Sequence, residues 1–589
     1  MHRLILALIL TAGLALRLHN NDYGLPFVYS VDEASHFTSR AVEMFWQDLD
    51  PGYYQNPAGF TYAIYALLRV MYGPFGFLFD LQFGNVTEQF AKDPGEIWVA
   101  ARTLAALLCM AGVAATYLAA RRLFGVREGL VAAAVLAFAF LPVAYSRVAV
   151  TDVGSLAGVA LALMWSARAA EDGRVRHFAL AGAAAGLAVG FKYTAGLVLI
   201  CLGIAALGRL RHDRGRVLAG LALGAGAAAA VFCLLNPYLF GAAGDWWLDL
   251  RDQADVAAND PKPGQDTGGA AYYLDSLIWE LGWAGLAAAL AGAVLLAFRR
   301  PLRALVLIAL PLALFAYLAL QSRYFGRWLL PAYPALAMLA AYAVARAAEL
   351  LPARPGLRPA AVTALTLVVL AQPLAADVRS AQALGREDTL SQARAFLEER
   401  FAPELRVSIE PAVPGRYFRS NPAGDLPAWL SRCPRRADWT EPGWTYETAT
   451  GRRVCVQYKP GLFVRPDGGV RASAYGAVLG PEVVDDLRLY GYCHVVTVNV
   501  VRDRAERDPA AAAYYRRLER ESTLLRELSP YDDGADPVPF HFDLSYNLYP
   551  PEYERPGPTV RVHELDDCEQ AYGAPLIRIP KAREPEPFS

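Results

Sequence analysis

The sequence predicts a multispanning α-helical membrane domain of about eleven transmembrane helices, followed by a soluble extracytoplasmic α/β domain. Three observations predict it. The 589 residues are 55% hydrophobic with a mean hydropathy of +0.23, too apolar for an ordinary soluble chain of this length. The apolar residues fall in blocks, many of them long enough to cross roughly 30 Å of hydrocarbon. Beyond about residue 376 the blocks stop and soluble patterning replaces them. Net charge is −1, and no basic stripe indicates a nucleic-acid partner.

Taken in order, the expected spans lie near residues 3–19, 97–120, 128–145, 153–170, 177–191, 194–208, 217–237, 272–297, 304–321, 328–348 and 359–376. The fifth and sixth are short. Arginines fix their orientation, because cytoplasmic loops carry the excess of positive charge. Arg121, Arg122 and Arg127, then Arg168, Arg174 and Arg176, then Arg209 to Arg216, then Arg299 to Arg303, and finally Arg346 to Arg358 occupy alternate loops. The other set therefore faces outward: a large first loop over 20–96, a second long loop over 238–271, and everything after about 377. The expected domains are 1–376 and 377–589, in a plasma (inner) membrane protein with its second domain outside. A signal peptide is the rival reading of the first span, but Arg17 and His19 stand where small cleavage-site residues belong.

Cysteine placement agrees with this sidedness. Cys109, Cys201 and Cys233 lie within spans, whereas Cys433, Cys455, Cys493 and Cys568 fall in the outward tail, where disulfides form. Their pairing is not legible, and no close cysteine pair suggests zinc. In the tail, residues 389–399 carry helical spacing, 405–409 alternate like a strand, 494–501 form a β-branched buried strand, and 511–528 read as an amphipathic helix. Residues 546–558, rich in Pro and Tyr, read as loop or edge strand. The glycines from Gly220 to Gly226 read as close helix packing.

The informative polar residues sit at outward span ends, since ionisable groups at membrane depth are costly and usually serve a site. Asp32 and Glu33 are adjacent in the first outward loop, with His36 one helical turn on. Arg147 and Asp152 flank the turn between the third and fourth spans, Lys192 and Tyr193 interrupt the fifth and sixth, and Arg323 and Arg327 stand where the ninth and tenth meet. Acids and bases thus gather at one face. A carboxylate there accepts a proton from a hydroxyl, while Arg and Lys hold a phosphate. A sugar carried on a lipid phosphate suits that combination.

The order of these motifs resembles a known family. It runs from Asp32-Glu33 with His36, through Asp48-Leu49-Asp50-Pro51, Asn56-Pro57 and the aromatic stretch 60–65, to Arg102, Arg121-Arg122-Leu123-Phe124-Gly125, Tyr145-Ser146-Arg147 and Thr151-Asp152. It continues with the stretch ending in Phe191-Lys192-Tyr193, then Asn236-Pro237-Tyr238, Arg323-Tyr324 and Leu330-Pro331. The pattern is similar to the GT-C membrane glycosyltransferases that use polyprenyl-phosphate sugars, in particular the branch of protein O-mannosyltransferases and lipid A aminoarabinose transferases. The resemblance implies inverting transfer to an extracytoplasmic acceptor, with Asp32 as general base and Glu33 supporting it or binding acceptor. It makes Asp152 a second acid, and Lys192, Arg323 and Arg147 ligands of the lipid phosphate; Tyr193, Arg327 and His36 join them as substrate-binding residues. No cofactor is implied with certainty, and a divalent metal between Asp32 and Asp152 stays open, because some relatives hold one between such acids. The expected partners are the polyprenyl-phosphate-linked donor, membrane lipids and an acceptor that is protein, lipid or glycan. The tail departs from the best-known members.

Two other functions compete. A flippase or transporter of lipid-linked saccharides would also use charges near span ends, but neither two related halves nor broken helices are legible. A noncatalytic envelope-assembly protein would use the outward domain alone.

Overall fold

The computed structural model describes residues 2–30, 32–45, 48–73, 86–262, 265, 268–352, 354, 356–402, 405–410, 480–489, 491–499, 502–503, 509–532, 534–536, 538 and 552–572, with short strands between 444 and 471. The chain divides into two compact units, one built on Met1–Asp22 and Val28–Gly385, the other mainly on residues from Arg386 onward.

Among the described residues of the first unit, six helices are long and apolar enough to cross a membrane: Gly95–Leu123, Asp152–Asp172, Arg214–Leu235, Pro301–Ala319, Gly326–Glu349 and the stretch beginning at Leu357. Gly269–Glu280 and Trp283–Arg299 add a seventh if the pair, bent by 104°, is one span. The remaining expected spans coincide with shorter helices, His2–Leu18, Val126–Phe138, Val175–Phe191 and Tyr193–Arg209.

Two departures from the sequence reading have local causes. The stretch 128–145 is broken at Ala139, whose ψ of 136° is extended. Pro142 is the reason, since its ring would collide with the carbonyl of Phe138 in a continued helix. The stretch 272–297 is likewise broken, around Gly282 at φ +83°, a conformation open to glycine and costly for other residues. A broken helix is therefore present where none was legible.

Within the glycine-rich stretch Gly220 and Gly224 pack closely, whereas Gly226 has open space beside it. A Cβ on Gly182 would lie 1.9 Å from the Gly224 carbonyl oxygen, and one on Gly186 would lie 2.3 Å from that of Ala228. Small residues thus let Val175–Phe191 and Arg214–Leu235 touch along their backbones. Gly182→Leu is expected to force them apart and to cost about 1–3 kcal/mol, the range of an overpacked core. Thermal unfolding in lipid nanodiscs measures it, and an unchanged midpoint would refute the close packing.

The second unit carries a mixed sheet in the order β4-β5-β1-β6-β8-β7, from Phe463–Val464 (β4), Val470–Arg471 (β5), Val407–Ile409 (β1), His494–Val498 (β6), Val560–Leu565 (β8) and Ser522–Leu528 (β7). A separate hairpin pairs Trp444–Glu447 (β2) with Arg453–Val456 (β3). β1 and β6 run parallel; β8 runs antiparallel to β6 and to β7. All five residues of β6 are buried, as its unbroken β-branched run requires. The helix Thr389–Arg400 starts where Asp388 Oδ1 accepts the backbone N–H groups of Leu390 and Ser391.

The amphipathic helix expected over 511–528 is corrected. Helix Pro509–Arg520 occupies its first half only, and Ser522–Leu528 is β7, registered along β8 from Ser522 opposite Leu565 to Leu528 opposite Val560. Sheet pairing overrides an apolar spacing that fits either period. Cys493 and Cys568 form a disulfide. Cys433 and residues 546–551 lie outside the described residues, and the side chain of Cys455 does too; the described part of the Pro- and Tyr-rich segment, 552–558, bridges Tyr553 to Tyr531.

Candidate functional site

Asp32 and Glu33 are neighbours with different surroundings. The segment Glu33–Phe37 is a single π-helical turn, a rare conformation frequent at functional sites. Glu33 is fully buried and accepts a fork from Arg102, also fully buried, with Nε 2.7 Å from Oε1 and Nη2 3.1 Å from Oε2. The Ala149 N–H adds a third bond to Oε1 at 2.9 Å, and Arg102 Nη1 reaches the Asn21 carbonyl at 2.9 Å. Both carboxylate oxygens are therefore engaged by protein donors.

Asp32 keeps a third of its side chain exposed. Its Oδ2 accepts from Arg327 Nη2 at 2.7 Å, and Arg327 Nε lies 3.9 Å from Asp152 Oδ2. Asp152 stands at the start of the helix beginning at Ser155, where the helix dipole favours an anion. Lys192 Nζ lies 2.8 Å from Asp152 Oδ1 and donates to Asn56 Oδ1 at 3.3 Å. Lys192 has extended φ and ψ of −148° and 120°, just past the helix Val175–Phe191, and the Thr151 hydroxyl donates to the Phe191 carbonyl. That bond joins the two turns that carry Asp152 and Lys192.

The aromatic stretch supplies the next layer. His36 stacks on Tyr53 with ring centroids 4.5 Å apart, Asn56 Nδ2 donates to the Tyr53 hydroxyl at 2.8 Å, and Arg40 lies 4.8 Å from the Tyr53 ring centre. Tyr193 donates to the Tyr54 carbonyl and accepts from Trp246 Nε1, so it props this segment from behind.

Charge follows from the geometry. Burial alone pushes the Asp32 carboxyl up, but Arg327, His36, Lys192 and Lys262 together outweigh it and hold Asp32 below its ordinary value. Burial also lowers His36, against the pull of Asp32, which favours the neutral imidazole at neutral pH. Asp32 is thus an anion among cations.

Of the nine residues singled out, Asp32, Asp152, Lys192, Arg327 and His36 form one continuous cluster. The others stand apart in role. Glu33 is engaged with Arg102. Arg147 is 1% exposed and donates to the Leu16 carbonyl at 2.5 Å. Arg323 donates to the carbonyl and the carboxylate of Asp260 at 2.9 and 2.5 Å, and its N–H bonds the Ala257 carbonyl. Tyr193 acts through Tyr54. Lys262, which acts on the Asp32 charge, escaped the sequence reading, and Asn56 and Tyr53 carried no role in it. One signal was available: only Lys92, Lys192, Lys262, Lys459 and Lys581 are lysines among 56 basic residues, and two of these five act on the Asp32 charge.

The acids do not fit a divalent metal. A guanidinium stands between Asp32 and Asp152 where an ion would need them to converge, and among the described residues no three His, Cys, Asp or Glu side chains are placed to hold one.

The acids and bases at the loops of this helical bundle lie partly within a segment that matches a known family model. More particularly, residues 94–238 match the family model of dolichyl-phosphate-mannose-protein mannosyltransferases, a segment that holds Arg102, Arg147, Asp152, Lys192 and Tyr193. The fold is shared with the archaeal oligosaccharyltransferase AglB from Archaeoglobus fulgidus, solved with an inhibitory peptide and a dolichol-phosphate. That likeness has a TM-score of 0.54 at 14% identity and covers 96% of this chain and 88% of that one. ArnT from Cupriavidus metallidurans, solved with undecaprenyl phosphate, is also similar, at 16% identity over 69% of this chain and 81% of that one, with a TM-score of 0.45. No curated protein matches the chain in sequence.

Proposed function

We propose that this protein transfers a sugar, with inversion, from a polyprenyl-phosphate donor to a hydroxyl-bearing acceptor outside the cytoplasm, and that Asp32 is the general base. The observation that carries the reading is the run Asp32–Arg327–Asp152–Lys192, which sets a partly open carboxylate beside cations. The acceptor oxygen attacks the anomeric carbon as its proton passes to Asp32. The bond from that carbon to the phosphate oxygen breaks, and the polyprenyl phosphate departs with the electron pair. Arg327, Lys192 and Lys262 supply the charge that stabilises it. Glu33 becomes a positioning residue, holding Arg102 and the Ala149 backbone, and Arg323 holds the segment that bears Lys262. The arginine-rich loops and, with the short helices counted as spans, an odd number of crossings support an extracytoplasmic position for the cluster and the second unit, and the Cys493–Cys568 disulfide supports an oxidising compartment.

The broken helix at Gly282 favours a second reading, a flippase. Among the described residues no second membrane-length apolar helix pair is bent by more than 40°, as inverted repeats would require.

The test supplies nanodisc-embedded protein with radiolabelled polyprenyl-phosphate sugars and an envelope extract as acceptor. Transfer is expected, and it should persist in EDTA because the acids already hold a guanidinium. Movement of label across the bilayer without transfer would establish the flippase instead. Lys192→Ala is expected to raise the apparent donor KM roughly tenfold, as loss of one charged contact to a phosphate implies; an unchanged KM would remove Lys192 from the phosphate site.

A further inference from the structure

The second unit contains a cavity of about 510 Å³, within the range of small-molecule sites, that the transferase reading does not use. It lies at one end of the sheet, lined by Thr497 and Asn499 around the end of β6, Glu527 next to the end of β7, and Thr559 just before β8. β1 and β6 are parallel and both terminate at this end. In open α/β sheets, ligands bind at the carboxyl ends of such strands. The far wall is made by Ser529, Tyr531, Asp532, Gly534, Ala535 and Val538.

This end is fixed by bonds within the unit. The Asn499 and Thr559 backbones exchange hydrogen bonds through the Thr559 carbonyl and the Asn499 side chain, each at 3.0 Å. At the end of β1, Glu410 accepts from the Val498 N–H at 2.7 Å and from the Tyr515 hydroxyl at 2.6 Å. Tyr531 packs edge-on against Tyr553 at 5.0 Å and accepts the Val538 N–H. The cavity is therefore preformed.

Its chemistry narrows the occupant. Carboxylates, guanidinium groups, hydroxyls and an amide share the walls with the Tyr531 ring and with alanine, valine and glycine. An apolar ligand would strip water from these groups without replacing its hydrogen bonds. An anion would meet three carboxylates, while the two arginines are already paired, Arg561 with Glu527 at 2.7 Å and Arg502 with Glu519 at 2.7 Å. A metal finds no set of three ligands among the described residues. An uncharged polyhydroxylated molecule matches, because each hydroxyl both donates and accepts.

We infer that this cavity binds a neutral saccharide of about two sugars, at a site separate from the Asp32 cluster. The test uses the full-length protein in lipid nanodiscs, without sugar-based detergent, against a panel of neutral and acidic oligosaccharides of two to four sugars. Saturation-transfer NMR and calorimetry read the binding. At least one neutral oligosaccharide is expected to bind. Ala535→Trp, which fills the cavity, and Asp532→Ala, which alters an exposed wall residue, should each weaken it at least tenfold. Asp32→Asn should leave it unchanged, so failure of the transferase reading and failure of this one are distinguishable. Binding by none of the panel, binding confined to acidic oligosaccharides, or binding by both cavity variants as tight as that of the unaltered protein would overturn the inference.

Discussion

Asp32→Asn is expected to lower the transfer rate at least about 100-fold, the low end of what a positioned general base contributes, with little change in folding. The substitution keeps the shape of the side chain and its bond to Arg327 through the amide oxygen, but it removes the site that takes up the acceptor proton. Because Arg327, His36, Lys192 and Lys262 outweigh burial and lower the Asp32 pKa, the acid limb of kcat/KM should lie below the ordinary aspartate value of 3.8. The sign is consistent: a depressed carboxyl stays ionised as pH falls and loses its charge only under stronger acid. Activity should therefore hold from pH 7 down to about 5. Full activity in Asp32→Asn would eliminate Asp32 as the base. Arg327→Gln offers an internal control, since losing that cation should move the limb upward.

The second large effect is on stability. Arg102→Leu leaves the Glu33 carboxylate fully buried with the Ala149 N–H as its described remaining donor, and breaking such a pair costs about 3–5 kcal/mol. Replacing both partners, Glu33→Met with Arg102→Leu, should recover most of that loss, because neither charge is then left in the interior. Unfolding monitored in nanodiscs distinguishes the two. If Glu33 bound acceptor directly, the double variant would be stable yet fail to bind it. If Glu33 positions the turn, the double variant retains acceptor binding, and its rate reports how well Asp32 is aimed.

The pairing at Glu33 shows where sequence reasoning stops. Two adjacent acids invite the same role, but the π-helical turn from Glu33 to Phe37 sends one into the interior and leaves the next within reach of solvent. Nothing in the residue types distinguishes them. Arg323 and Arg327 illustrate the same limit, being one helical turn apart in sequence and bound to Asp260 and Asp32 respectively.

By itself the sequence determined what depends on composition and local spacing. Apolar blocks exclude water wherever they fold, so the membrane helices were legible; small residues permit close backbones, so the Gly182–Gly224 contact was foreseeable; rare charges at helix ends must be compensated, so the neighbourhood of the site was marked. The tertiary structure alone decided which charges meet. Hydrogen bonds and ion pairs act over about 3–4 Å, and residues 32, 152, 192 and 327 come that near their partners only after helices distant along the chain have packed. The same holds in the second unit, where Ser522–Leu528 carries a spacing that suits helix or strand and becomes a strand because β8 offers it a ladder of hydrogen bonds.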